Sequence, residues 1–245
     1  MSCLRTYEPV GRLKPVTDDV WIADGDELRM RYYGLRLPFT PRMTVVRLPD
    51  GGLWLHSPIA PSEALATEIG ALGEVRWIVA PNRLHTSFTS AWHARFPAAS
   101  VASVAAEPPW SGAPLPSTID LAGSAPLPWA PSLATRVVHG SLFSEAVFFH
   151  AASRTLILTD LIENFERSRI TCLWLRALLA VTGPLDPHGT APPDMRFSFR
   201  KQRAELRTVV QELIGWDPER VIIAHGRWYP TNGRAELERA FAWVR

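Results

Sequence analysis

Residues 221–226, Val-Ile-Ile-Ala-His-Gly, raise the question on which the fold depends. Four apolar residues, three of them β-branched, fit a strand covered on both faces. In open α/β sheets the ends of such strands are where ligands and chemistry gather. Here the end carries His225 followed directly by Gly226. A lone histidine in that place is most often a hydrogen-bonded structural residue, so the reading turns on whether other segments repeat the pattern.

Three others do. WIVAPNRLH (77–85) puts Asn82 and His85 after a strand-like run, TRVVHG (135–140) puts His139 there, again followed by glycine, and TLILTD (155–160) puts Asp160 there. Imidazole nitrogen and carboxylate oxygen are the donors that Zn²⁺ and Fe²⁺ take, with one position left open for water. Strand ends supply the rigidity. A glycine after a ligand lets the chain turn without crowding the ion. His85, His139, Asp160 and His225 are therefore the candidate ligands of one zinc or iron ion, with Asp160 and His225 the candidate catalytic positions. Bound water made acidic by the metal gives hydrolytic chemistry. Asp160 and Asn164 also have a purely structural reading, since such residues cap helices and accept backbone N–H bonds in turns.

The totals bound the remaining classes. With 245 residues, 47% hydrophobic and 20% charged, the chain can bury a large core. A net charge of +2 gives no basic stripe for nucleic acid. The first residues lack the apolar stretch of a signal peptide and no run is long enough to span a bilayer, so a cytoplasmic protein is expected. Cys3 and Cys172 are far apart and outside any CxxC spacing, which predicts free thiols. Oligomeric state is not legible.

Along the chain, 42–56 reads as a β-hairpin about Asp50-Gly51, followed by a helix capped by Ser62 and a strand over 75–79. A second hairpin is expected over 145–160. Helices are expected over about 166–181, 203–213 and a last stretch with Leu237, Phe241 and Val244 on one face. The proline-rich segments between 106 and 132 read as long ordered loops. No repeat or linker divides 1–245, so one domain is expected: two sheets face to face with helices outside, an α/β or α+β sandwich.

The segments RMTVVRLPDGGLWLHSPI (42–59), APNRLH (80–85), SRTLILTDLIEN (153–164) and AHG (224–226) together resemble the metallo-β-lactamase-fold superfamily, and more closely an uncharacterised bacterial family of that fold. The resemblance implies a four-layer αββα sandwich with zinc or iron at the sheet edge and a hydrolase or, less often, an oxidoreductase. It also exposes a departure. Where the superfamily carries HxHxDH, residues 81–87 read PNRLHTS. One histidine remains and the aspartate is gone, so at most one metal is expected. Three functions follow: a metal-dependent hydrolase of a small molecule, a metal-free scaffold that binds a ligand or protein, and an iron-dependent oxidoreductase.

Among the other polar residues, His56 is expected to make a structural hydrogen bond, with pocket lining as the alternative, His93 and His188 to lie at the surface, and Glu145 to pair with an arginine rather than supply a carboxylate to the site; which side His150 faces is not legible. The apolar segment around Trp174 reads by default as core. Arg196, Arg200, Lys201 and Arg203 form a basic cluster that could meet an anionic ligand or simply be solvated.

Overall fold

The computed structural model describes residues 2–32, 34–105, 107–110, 112 and 114–244. In chain order the elements are β1 (Lys14–Thr17), β2 (Val20–Asp24), β3 (Leu28–Tyr32), β4 (Leu35–Phe39), β5 (Arg42–Arg47), β6 (Leu53–His56), α1 (Glu63–Leu72), β7 (Val75–Ala80), α2 (Thr89–Arg95), β8 (Ser100–Ser103) and β9 (Ser117–Asp120). They continue with β10 (Leu133–Val138), β11 (Glu145–His150), β12 (Thr155–Ile157), α3 (Leu173–Thr182), α4 (Pro193–Ser198), α5 (Arg203–Gly215), β13 (Arg220–Ile222) and α6 (Gly233–Ala240). One sheet has the order β1-β2-β5-β6-β7-β8-β9, the other β10-β11-β12-β13, and β3-β4 form a separate hairpin.

Period-two burial assigns the layers. Trp54, Val79, Ala102, Phe148, Ile157 and Ile222 meet in one apolar cluster between the two sheets, where the Trp54 and Phe148 rings pack edge to face at 4.7 Å. Their strand neighbours turn the other way. Leu53, Leu55 and Ile78 pack against Leu65 and Ile69 of α1 and Trp92 of α2, while Val147, Phe149, Leu156 and Val221 pack against α5 and α6. The result is the expected αββα sandwich. The run at 221–226 behaves as its composition requires, with Ile222 facing the opposite sheet and Val221 and Ile223 facing the helices.

Local rules account for most boundaries. Ser62 Oγ accepts the Leu65 amide and starts α1, and β5 and β6 pair antiparallel on either side of Asp50-Gly51. Two boundaries differ from expectation. The helix expected from about 166 begins only at Leu173, because the preceding residues pair with the N-terminal segment: Arg5 N donates to Arg169 O, and Thr171 N to Cys3 O. The loop region also contains β9, which pairs parallel with β8.

The same N-terminal segment corrects the reading of the cysteines. Cys3 and Cys172 form a disulfide across 169 residues of sequence, inside an apolar cluster with Leu4, Ile170 and Leu175. Sequence spacing could not reveal a pair brought together only by tertiary structure. Disulfides persist in oxidising compartments and are rare in a reducing cytosol, so this bond weighs against the cytoplasmic expectation. No helix among the described residues is long and apolar enough to cross a membrane.

Arg42 joins the first sheet to the chain end that carries His225. Its buried guanidinium donates from Nη1 to the Ile223 and Gly226 carbonyls, both at 2.8 Å, and pairs through Nη2 with Asp24 at 2.7 Å. Lys14 completes the pairing of Asp24. Replacing one partner of a buried ion pair leaves the other underpaired and costs about 3–5 kcal/mol. Arg42→Met is therefore expected to lower unfolding free energy by that amount in urea titrations; a loss below about 1 kcal/mol would show that the staple is dispensable.

Candidate metal centre and its pocket

His225 leaves β13 with its backbone held on both sides. Gly226 follows at φ +86° and forms a parallel bridge with Asn164; a Cβ there would lie 2.0 Å from the Asn164 carbonyl oxygen. Only glycine permits that approach. Asn164 adds a side-chain bond from Nδ2 to Arg227 O at 2.9 Å. The imidazole is thereby presented at the sheet edge, with Nδ1 3.3 Å from the Thr40 carbonyl.

Asp160 lies past β12, where its backbone is set by a buried carboxylate. Glu145 accepts the amides of Thr159, Asp160 and Leu161 at 2.7, 2.9 and 3.1 Å. It thus makes backbone bonds rather than the expected arginine pair. Burial, and then the charge of Asp160, push the Glu145 carboxyl well up from its ordinary value. Asn82 holds the side chain of Asp160, donating from Nδ2 to Oδ2 at 2.8 Å, while its own Oδ1 accepts the Leu84 and His85 amides. Asn82 is a brace in this arrangement.

His85 completes the group. Its Nδ1 lies 2.6 Å from Ser57 Oγ and its Nε2 lies 3.2 Å from Asp160 Oδ1. Burial pushes this imidazole down, but the Asp160 charge and hydrogen bond outweigh it and the net shift is upward. Asp160 is subject to the converse: burial raises it, yet the two histidines hold it far below the ordinary carboxylate range. Ser57 is buried and held at φ +52°, a conformation rare for a residue that is not glycine.

The donor atoms of His85, Asp160 and His225 all lie within 4.8 Å of one another. Their hydrogen-bond chemistry tests whether a metal fits. A carbonyl can only accept, so His225 Nδ1 carries a proton toward Thr40, and a neutral ring then turns the lone pair of Nε2 toward Asp160 Oδ1, 3.3 Å away. Two acceptors facing each other require a proton or a cation between them. Ring N–H to carbonyl is also the outer bond that orients metal-ligating histidines. The group fits one ion. Among the described residues no second cluster of three such ligands exists.

The structure does not bring His139 into this group. The residue is exposed, with Nδ1 3.4 Å from Ser144 Oγ, because the chain after β10 is drawn onto α4: a Cβ on Gly140 would meet Phe143 O at 2.3 Å and Ser198 Oγ at 2.4 Å. That glycine serves loop packing, and no ligand stands beside it. His56 is buried against Trp54 and Phe148, where burial holds its ring well below the ordinary value. His150 bonds Ser153. In the basic cluster, Arg196 donates to Ala191 O and Thr190 Oγ1, and Arg203 to Trp243 O, so both are structural.

Sequence reasoning missed Ser57 and Thr40. Thr40 acts through its backbone carbonyl, which has no residue type, and Ser57 through a hydroxyl that no motif in the sequence marks. Glu145 had one: an acidic residue opening the otherwise apolar run EAVFFH.

The three ligand candidates line a cavity of about 660 Å³. The β3-β4 hairpin forms one wall and α3 another. Leu175, Leu178 and Leu179 of α3 line it, whereas Leu173, Trp174 and Val181 on the same helix are exposed. The apolar segment around Trp174 is therefore only partly core.

Residues 32–181 match the family described as Domain of unknown function (DUF4336), a stretch that contains Ser57, His85 and Asp160 and ends before His225. No curated protein matches the chain in sequence. Solved structures share its fold at low identity. A metallo-beta-lactamase from Hirschia baltica is 11% identical, with a TM-score of 0.62 over 95% of this chain and 96% of that one. FIM-1 from Pseudomonas aeruginosa, solved in its mono-zinc form, is 12% identical with a TM-score of 0.59 over 100% and 96%. A metallo-beta-lactamase from Pontibacter korlensis is 13% identical with a TM-score of 0.57 over 98% and 99%.

Glu163 lines the cavity beside this centre, and burial first, then the charges of Asp160, Asp194 and Glu145, hold its carboxyl well above the ordinary 4.5. Its pKa is higher folded than unfolded. The stability it contributes is therefore complete below the unfolded value and is lost as pH rises toward the folded one. Glu163→Gln, neutral at every pH, is expected to melt higher than wild type at about pH 8 and near wild type at about pH 4. Equal melting at both pH values, or a lower value at the higher pH, contradicts a buried neutral carboxyl.

Proposed function

For a chain that belongs to the family described as Domain of unknown function (DUF4336), we propose a metal-dependent hydrolase of a small molecule, with one zinc or iron ion held by His85, Asp160 and His225. One observation carries the reading: a single carboxylate oxygen, Asp160 Oδ1, faces two imidazole Nε2 atoms at 3.2 and 3.3 Å. The fold shared with metallo-beta-lactamases, one of them in a mono-zinc form, supports it.

The roles of the chain's own groups follow from their bonds. Thr40 O and Ser57 Oγ fix the two rings with Nε2 inward, and Asn82 and Glu145 hold Asp160 between them. When bound, the ion supplies Lewis acidity and lowers the pKa of its water toward neutrality. The apolar walls of the cavity exclude bulk water, which strengthens polar contacts to a substrate carbonyl.

Two alternatives each rest on one feature of the same group. Two histidines and one carboxylate are also the donor set of iron enzymes that use oxygen. The closed Asp160 bonds to both rings suit a metal-free scaffold if the rings are protonated. Elemental analysis of untagged protein separates the three. About one equivalent of metal is expected in wild type and in His139→Ala, and less than about a tenth of that in His225→Ala and Asp160→Ala. Zinc favours the hydrolase and iron the oxidoreductase. Folded protein that stays metal-free after either ion is added, or that holds about two equivalents, overturns the proposal.

A further inference from the structure

The cavity beside the candidate metal centre is chemically lopsided. Met30, Leu37 and Phe39 of the hairpin and Leu175, Leu178 and Leu179 of α3 line it, together with the ligand candidates His85, Asp160 and His225. A volume of about 660 Å³ is that of a site for a small organic ligand rather than for water or a simple ion. Along β3, burial alternates: Leu28, Met30 and Tyr32 are partly buried, whereas Arg29 and Arg31 are exposed. Cations therefore stand at the rim. The other titratable groups lining the cavity are the ligand candidates His85, Asp160 and His225 together with Glu163 and Asp194, the last accepting the Tyr32 hydroxyl. An anionic group lying between the hairpin and α3 would bring its charge against apolar walls, which is unfavourable.

We infer that the substrate is an uncharged, predominantly apolar carbonyl compound, an ester of a medium-length acyl chain, whose tail lies between the β3-β4 hairpin and α3 and whose carbonyl lies at His85, Asp160 and His225. This rests on the hydrolase reading for its reaction and on the cavity alone for its ligand class. In the reaction, the oxygen of water bonds to the acyl carbon and the acyl C–O bond breaks. The alcohol leaves with one proton of the water and the acid retains or releases the other. The product acid is an anion near neutral pH and suits the apolar walls less well than the ester, which favours its departure.

The test uses a ligand that needs no metal. N-phenyl-1-naphthylamine, uncharged and fluorescent in apolar sites, is titrated into wild type, His225→Ala, Leu37→Asp and Leu178→Asp, with circular dichroism as the folding check. Wild type and His225→Ala are expected to bind it saturably, and a charge introduced into the walls by either Leu→Asp change is expected to weaken binding at least about tenfold. Methyl decanoate is expected to displace the probe at less than about a tenth of the concentration that decanoate needs. Absence of saturable binding to folded wild type, binding unchanged in both wall variants, or decanoate competing as well as its ester overturns the inference. Metal-free protein that still binds the probe refutes the metal centre alone; metal-loaded protein that does not bind it refutes the apolar substrate alone.

Discussion

The centre depends on one buried carboxylate oxygen that faces two imidazole nitrogens. Asp160 Oδ1 lies 3.2 Å from His85 Nε2 and 3.3 Å from His225 Nε2, and none of these groups reaches bulk water freely. Such an arrangement is stable only when a positive charge is shared among them, as protons or as a metal ion. The surrounding bonds favour inward-facing lone pairs. Thr40 takes the outer proton of His225, Ser57 stands at the outer nitrogen of His85, and Asn82 occupies the other oxygen of Asp160.

The sandwich makes that meeting possible. His85 follows β7 of the larger sheet, whereas Asp160 and His225 follow the parallel neighbours β12 and β13 of the smaller one. Face-to-face packing brings the two sheet edges together. Arg42 then spans them, bonded to Asp24 on one side and to the carbonyls of Ile223 and Gly226 on the other. The hairpin and α3 wall off the space above the donors. At α3 the Cys3–Cys172 disulfide ties the helix start to the N-terminal segment, so one wall of the cavity is anchored covalently.

The fold was largely legible because period-two and helical apolar patterns report burial directly, as in VRWIVA and EAVFFH. The convergence of His85, Asp160 and His225 was legible for the same reason: each follows a buried run whose end must lie at a sheet edge. His139 satisfied the same rule, yet its side chain is exposed, because the turn after β10 is governed by the packing of Gly140 on Phe143 and Ser198, residues distant or unmarked in sequence. The disulfide and the roles of Thr40 and Ser57 were hidden likewise. A backbone carbonyl has no residue type, and a pair of cysteines separated by 169 residues has no spacing rule.

Whether one ion sits on Asp160 is decided by anomalous diffraction at the zinc absorption edge from crystals grown with zinc. A single strong peak is expected between His85, Asp160 and His225, with nitrogen and oxygen donors at about 2.0–2.2 Å. No peak there, a second strong peak alongside it, or a peak at His139 instead would contradict a mononuclear centre built on Asp160.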